Sequence, residues 1–386
     1  MKKIMILGAG VYQVPLIQQA KSMGLYTIVV SIPGNYPGFF IADKIYKINT
    51  TDVEAICCAA QQEQIDGILT TGTDVAVITI GTVCERLGLT GISRHSAELT
   101  TDKAKMKSAL VQGGVRTAPF FAVHNLEEAK SAIRTLGAPV MFKCVDKSGS
   151  RGIIRVDSEA DAEEALSYAR ACSDADYIVV ERFLTGCEIG IDGYVCGSHR
   201  VILPHAKIMR SNGMTKIPVG HIFPYECGNA LYQDICWQTN KAIDALGLDH
   251  CFFNIDAMVD QDQCHLIEIG GRTGATCIPE LAGTYLGCNF YEKMIQNALG
   301  ENVEFPVPAG LACAGKLLCA EKTGVIQKIA CPETGRIALD YSVGDAVRAF
   351  QVGPDRIGQL MVTGSDVQNA LDNLSALEQS VQIDIV

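Results

Sequence analysis

The chain has 386 residues, 48% of them hydrophobic and 19% charged, which excludes wholesale disorder. Its net charge of −11 argues against a nucleic-acid binder that works through a basic surface, while leaving room for a local cationic pocket. At about 100–200 residues per domain the length points to roughly two to four domains, and no apolar run is long enough to span a bilayer.

In chain order, Met1-Lys2-Lys3 leads into the apolar run Ile4–Leu7, which halts at Gly8-Ala9-Gly10. The run is too short for the apolar region of a signal peptide, so it predicts a first strand and a cytoplasmic chain. A helix over Val14–Met23, a strand over Tyr26–Val30, a helix over Asp52–Gln64, a strand over Gly67–Thr70 and a helix over Val75–Leu87 follow. This βαβ rhythm predicts an α/β fold with a doubly wound parallel sheet over residues 1–99. A Lys-rich helix, Thr100–Leu110, lies in a connecting segment over 100–119. Region 120–184 is strand-rich, with Val140–Cys144, Gly152–Val156 and Tyr177–Phe183 around a helix at Ser158–Ala171. Region 185–300 carries strands near Glu188–Val195, Phe252–Val259 and His265–Ile269, and 301–386 is expected to form a small α/β cap. The sixteen cysteines contain no CxxC pair and no Cys/His set with zinc-finger spacing, so reduced, mostly buried thiols are expected.

Four segments carry candidate chemistry. Gly8-x-Gly10 between a strand and a helix suits either a tight turn or an anion site. Gln13 and Ser31 stand where a dinucleotide fingerprint wants Gly and an acid, which opposes a nicotinamide site. Lys143 ends an apolar strand and is followed by Ser148-Gly149-Ser150, a flexible loop whose amides can close over phosphates; a Walker A pattern is absent. The strand Ile178–Leu184 runs through Glu181 to Glu188, a crossover that can present its main chain to an adenine edge. Asp256 and Glu268 sit on two strands of a predicted hairpin, amid apolar neighbours. Converging carboxylates there imply a cation between them, and carboxylate plus phosphate oxygen is the preference of Mg²⁺.

Taken in order, these motifs resemble the ATP-grasp superfamily of carboxylate–amine ligases. The likeness covers nearly the whole chain: a pre-ATP-grasp domain, Asp102-Lys103 opening a helix, Lys143 and its loop, Glu181 to Glu188, then Asp256 and Glu268-Ile269-Gly270-Gly271-Arg272. The start at Gly8-Ala9-Gly10, the Thr73-Asp74 pair and the C-terminal cap are similar to the biotin-carboxylase-type branch, which includes purine-biosynthetic ligases and L-amino-acid ligases. The resemblance implies a two-part ATP-grasp fold at 120–184 and 185–300, using ATP and Mg²⁺. Lys103, Lys143, Ser148, Gly149 and Ser150 would contact or cover the phosphates. Glu181 with the main chain near Phe183 and Leu184 would frame adenine, and Glu188 the ribose. Asp256 and Glu268 would hold Mg²⁺, and Arg272 would stabilise the transferring group or a substrate carboxylate.

Gly270 departs from the Asn that many members carry two residues after the second metal acid. The form is similar to the amino-acid ligase branch, and it leaves a non-catalytic nucleotide binder open beside a purine-pathway carboxylase or formate-using enzyme. His205, Arg210, Asn212 and His221 suit either a polar acceptor pocket or a surface loop. Asp74 suits a substrate ammonium or a helix cap. The expected partners are a small carboxylate and an amine; a homodimer rests on the resemblance alone.

Overall fold

The first layer follows from short apolar strands alternating with helices that bury one face. In the computed structural model, β1 (Lys3–Leu7), α1 (Val14–Ser22), β2 (Tyr26–Ser31), β3 (Lys44–Lys47), α2 (Val53–Glu63), β4 (Gly67–Leu69) and α3 (Val77–Leu87) form a parallel sheet in the order β3-β2-β1-β4. The structure describes every residue except Ser148, Ser150, Gly213, Met214 and Ala309, and leaves aside the side chains of Asn212 and Thr215. The helix expected over Thr100–Leu110 is two helices, α4 (Arg94–Thr101) and α5 (Lys103–Gln112). Asp102 breaks them because it is extended (φ −116°, ψ 110°) and its Oδ1 accepts the amides of Ala104 and Lys105. That cap starts α5 so that Lys103 and Lys107, one turn apart, share its buried face.

The next segment forms β5 (Phe120–Val123), α6 (Leu126–Leu136), β6 (Val140–Cys144), β7 (Ile153–Val156), α7 (Ala162–Ala171) and β8 (Ile178–Arg182). Its antiparallel sheet, β5-β8-β6-β7, has its own core around Phe142, Val180, Ile133 and Leu166.

The largest sheet begins with β9 (Cys187–Cys196), β10 (His199–Asn212) and β11 (Thr215–Phe223), and continues past α8 (Asn229–Leu246) into β12 (Cys251–Asp260) and β13 (Gln263–Gly270). After α9 (Ile278–Leu286) and α10 (Phe290–Ala298) come β14 (Ala312–Cys319), β15 (Gly324–Ala330), β16 (Ile337–Leu339), β17 (Ala346–Val347), β18 (Arg356–Gly364), α11 (Val367–Gln379) and β19 (Gln382–Ile385). The C-terminal region has the small mixed character expected of it, with a separate sheet β17-β15-β19. It is also woven into the large sheet, whose order is β13-β12-β9-β10-β11-β14-β18-β16. The segment around His205 and Arg210 is no surface loop: it is the antiparallel hairpin β10–β11. Its polar residues at 205 and 207 alternate with Pro204, Ala206 and Ile208, the period of a strand. All sixteen cysteines are free thiols; seven are buried and two, Cys58 and Cys187, are exposed.

One ion cluster ties α5 to the smaller antiparallel sheet. Glu181 on β8 is buried, with Oε2 2.7 Å from Lys107 Nζ and Oε1 against Lys143 Nζ. Burial pushes the Glu181 carboxyl up, but Lys143 and Lys107 pull harder and set its pKa at about 2. Removing this carboxylate strands two buried ammonium groups, so Glu181→Gln is expected to cost about 3–5 kcal/mol by urea unfolding. The folded pKa is depressed, so the stabilisation is complete above the ordinary glutamate value of 4.5 and is lost as pH falls toward about 2. A Glu181→Gln variant should therefore show a flatter stability–pH curve across that window than the parent.

Candidate active site

Strand register builds the site. Asp256 on β12 pairs directly with Glu268 on β13 and, on its other side, with Gly190 on β9; Asn254 pairs with Asp192. Gly190 pairs with His205 on β10, and Lys207 pairs with His221 on β11. Directly paired residues, and residues two apart on a strand, share a sheet face. Glu268, Asp256, Asn254, Glu188, Asp192, His205, Lys207 and His221 therefore form one polar row across five strands.

Cations fill the row. Lys207 Nζ donates to Glu188 Oε1 at 2.7 Å and Asp256 Oδ1 at 2.5 Å. Burial works against the Lys207 ammonium, but Asp256 and Glu188 prevail and hold its pKa above the ordinary lysine value. Burial likewise pushes the Asp256 carboxyl up, and Lys207 overcomes it to hold it below the usual range. Lys103 Nζ lies 3.1 Å from Glu268 Oε1 and donates to the Lys147 carbonyl at 2.6 Å, so the start of α5 reaches both the metal-type acid and the loop after β6. Burial acts to lower the Lys103 pKa, and Glu268 reverses the sign.

Arg272 follows the end of β13. Its Nη2 donates to Asp74 Oδ2 at 2.7 Å and its Nη1 to Asn254 Oδ1 at 3.2 Å, while Nε is buried with no partner among the described residues. Burial disfavours the guanidinium charge, but Asp74 more than offsets it. This corrects the helix-cap reading of Asp74: α3 is capped at Ala76, and the carboxylate pairs with Arg272. The same pair explains Gly270, because a Cβ there would lie 2.9 Å from Asp74 Oδ1.

Within the row, Asp192 is fully buried and accepts from Gly274 N at 2.9 Å and Asn254 Nδ2 at 2.8 Å; His205 Nε2 lies 3.1 Å from it. His221 Nδ1 sits 3.2 Å from His205 Nδ1, and burial, then His205, keep its pKa well below the ordinary value, so it is neutral. His205 and His221 thus belong to the row but not to an open pocket. Arg210 does not: Glu321 takes its Nη2 at 2.7 Å, and its guanidinium lies over Phe350. The Asn212 side chain, Ser148 and Ser150 lie outside the described residues. Gly149 is exposed at φ +68°. The Glu181 side chain is taken by two lysines; Phe183, just past β8, is covered by the Arg155 guanidinium at 4.5 Å, and Leu184 follows it.

Sequence reasoning missed Lys107, Asp192, Lys207 and Asn254 as site residues. Three of them were findable: Glu188-x-Gly190-x-Asp192, His205-x-Lys207 and Asn254-x-Asp256 each repeat at the period of one strand face. Lys107 had no such signal, because its partner Glu181 is 74 positions away in the chain.

The family described as phosphoribosylglycinamide synthetase, ATP-grasp (A) domain, matches residues 101–212. A formate-dependent phosphoribosylglycinamide formyltransferase of Methanococcus maripaludis is 25% identical over 225 residues, 57% of this chain and 55% of that protein. The match thus spans about half the length of this curated relative. The alanine–anticapsin ligase of Bacillus subtilis is 26% identical over 284 residues, 67% of this chain and 59% of the ligase. The crystal structure of phosphoribosylglycinamide synthetase from Anaerococcus prevotii matches over 100% of both chains, with a TM-score of 0.85 and 27% identity. The chain thus has the fold of the ATP-grasp enzymes, and residues 101–212 match an ATP-grasp domain family.

Proposed function

We propose that this protein is an ATP-dependent, ADP-forming ligase that activates a small carboxylate and joins it to an amine, of the amino-acid or dipeptide type. The observation that carries the reading is the register setting Asp256 opposite Glu268, with Lys103, Lys207 and Arg272 converging on the same row. In this reading residues 1–99 are the pre-ATP-grasp domain, 100–119 the connection, 120–184 the lid, 185–300 the catalytic part and 301–386 the cap.

The acids fit Mg²⁺. Both are hard oxygen donors on one face, and each is now neutralised by a flexible lysine that a divalent ion can replace. When bound there, Mg²⁺ supplies charge neutralisation for the nucleotide phosphates. The chain's own residues do the positioning. Lys103 and Lys143 face the phosphates, and Glu188 accepts from the ribose. Arg272, held by Asp74 and Asn254, presents its buried, unpartnered Nε to the reacting carboxylate or phosphoryl oxygen. The donor carboxylate attacks the γ-phosphorus of ATP and ADP departs. The amine then attacks the acyl carbon and phosphate leaves. A carboxylate oxygen is a poor leaving group and phosphate a good one, so no protein nucleophile is needed. Sixteen unpaired thiols suit the reducing cytoplasm.

Gln13 favours an unphosphorylated acceptor over a phosphoribosyl one. The glycine turn after β1 has the form of an anion cradle, but Gln13 fills it: Oε1 accepts the Gly10 amide at 2.9 Å, and Nε2 donates to the Thr71 carbonyl at 2.6 Å. The Gly8 amide is taken by the Val30 carbonyl, and a Cβ on Gly8, at φ +101°, would lie 2.9 Å from Gln13 Cδ.

Two outcomes are expected. Glu268→Ala should lower Mg-ATP-dependent ADP formation by roughly a hundredfold or more, and circular dichroism should show it still folded, with a lower melting temperature because buried Lys103 loses its carboxylate; unchanged turnover would remove the metal assignment. Across pairwise pools of amino acids and other small carboxylates and amines, ADP release should accompany a new amide detected by mass. Phosphoribosyl amines should support none; turnover with them alone would favour the purine-type reading.

A further inference from the structure

Beyond the end of the polar row, the chain brings together three metal-type donors that no sequence spacing announces. Cys196 ends β9, four residues or about 13 Å of strand past Asp192. Asp249 and His250 form the turn between α8 and β12. Cys196 Sγ lies 3.3 Å from His250 Nδ1, and one donor atom from each of the three residues falls within 4.8 Å of the others. A tetrahedral zinc ion, with Zn–S about 2.3 Å and Zn–N or Zn–O about 2.0–2.2 Å, needs donor separations of about 3.3–3.6 Å. Small side-chain rotations close that gap.

The surroundings hold the donors from behind and leave their front open. Asp249 Oδ1 accepts the amides of Gly197 and His250, both at 2.8 Å, which fixes the carboxylate, and Oδ2 lies 3.8 Å from His250 Nε2, so an ion shared with Cys196 needs the imidazole to turn. The His250 carbonyl accepts from Asn297 Nδ2 at 2.8 Å, and Asn297 Oδ1 accepts from the Tyr194 hydroxyl at 3.3 Å. These contacts fix the backbone of both turns, the supporting layer that orients metal ligands. His250 and Asp249 are about half exposed, so a water can complete the fourth position. Thiolate, imidazole and carboxylate together select a borderline-soft divalent ion rather than Mg²⁺.

We propose that Cys196, Asp249 and His250 form a zinc site that clips the β9–β10 turn to the α8–β12 turn. Because the ion binds the folded arrangement, it stabilises the fold by mass action. The site is independent of the ligase reading.

Cobalt titration of the reduced, metal-stripped full chain tests it. One ion per chain should give a thiolate-to-cobalt charge-transfer band that zinc abolishes. The band should vanish in Cys196→Ser, and affinity should fall on the order of a hundredfold in His250→Ala. Asp249→Asn keeps an oxygen for the two amides and removes the anionic ligand, so it should fold as the parent does and bind more weakly. Zinc should raise the melting temperature of the parent and not of Cys196→Ser. A band that persists in Cys196→Ser assigns the metal to other cysteines and overturns the proposal. So does the absence of any one-to-one binding.

Discussion

The structure is organised by the need to give every buried ammonium a carboxylate. Lys103, Lys107 and Lys143 are each under a tenth exposed, and the Lys207 side chain is 3% exposed. A lone charge in such places carries a penalty of several kcal/mol, so the partners are obligatory. Glu181 serves Lys107 and Lys143, Glu268 serves Lys103, and Asp256 with Glu188 shares Lys207. The elements that matter to the site are those that keep these pairs in register. The Asp102 cap starts α5 at the right residue, and the β12–β13 pairing puts two acids side by side.

Exposure separates the acids into two kinds. The Glu181 side chain is 6% exposed and inside a closed cluster, so its charge is committed to holding α5 against β8. The Glu268 and Asp256 side chains are 32% and 41% exposed, and each is held by one end of a flexible lysine. Their salt bridges can open toward solvent without stranding a buried anion. The site therefore rests in a self-neutralised state, and in the proposed reading a divalent ion would take the acids while the polyphosphate re-pairs the buried ammonium groups it displaces.

Local signals made most of the fold legible. The parallel first sheet, the hairpin carrying Asp256 and Glu268, and the strands around Lys143 and Glu181 follow from apolar runs bounded by glycine and polar turns. The helix start at Asp102-Lys103 came from the resemblance; the residue pattern alone ran the helix from Thr100, because a capping Asp looks like any other polar residue on a helix face. The hairpin β10–β11 was hidden because its polar residues face a charged row instead of solvent, so a buried strand looked like a loop. The partnership of Asp74 with Arg272 was out of reach, since 198 residues separate them and only the folded chain decides which cation the acid meets. The order of motifs along the chain conveyed the site's parts, and strand register conveyed their pairing.

The shared sheet gives the C-terminal region a consequence beyond its own packing. β11 has β10 on one side and β14 on the other, and β14 in turn binds β18. Without the last segment, the strand bearing His221 would become a raw edge of unpaired amides and carbonyls, open to any passing strand. The tail therefore acts as a selvage: it finishes the weave that the chemistry rests on. During synthesis this sheet stays incomplete until residues 356–364 supply β18, long after the β10–β11 hairpin has been made.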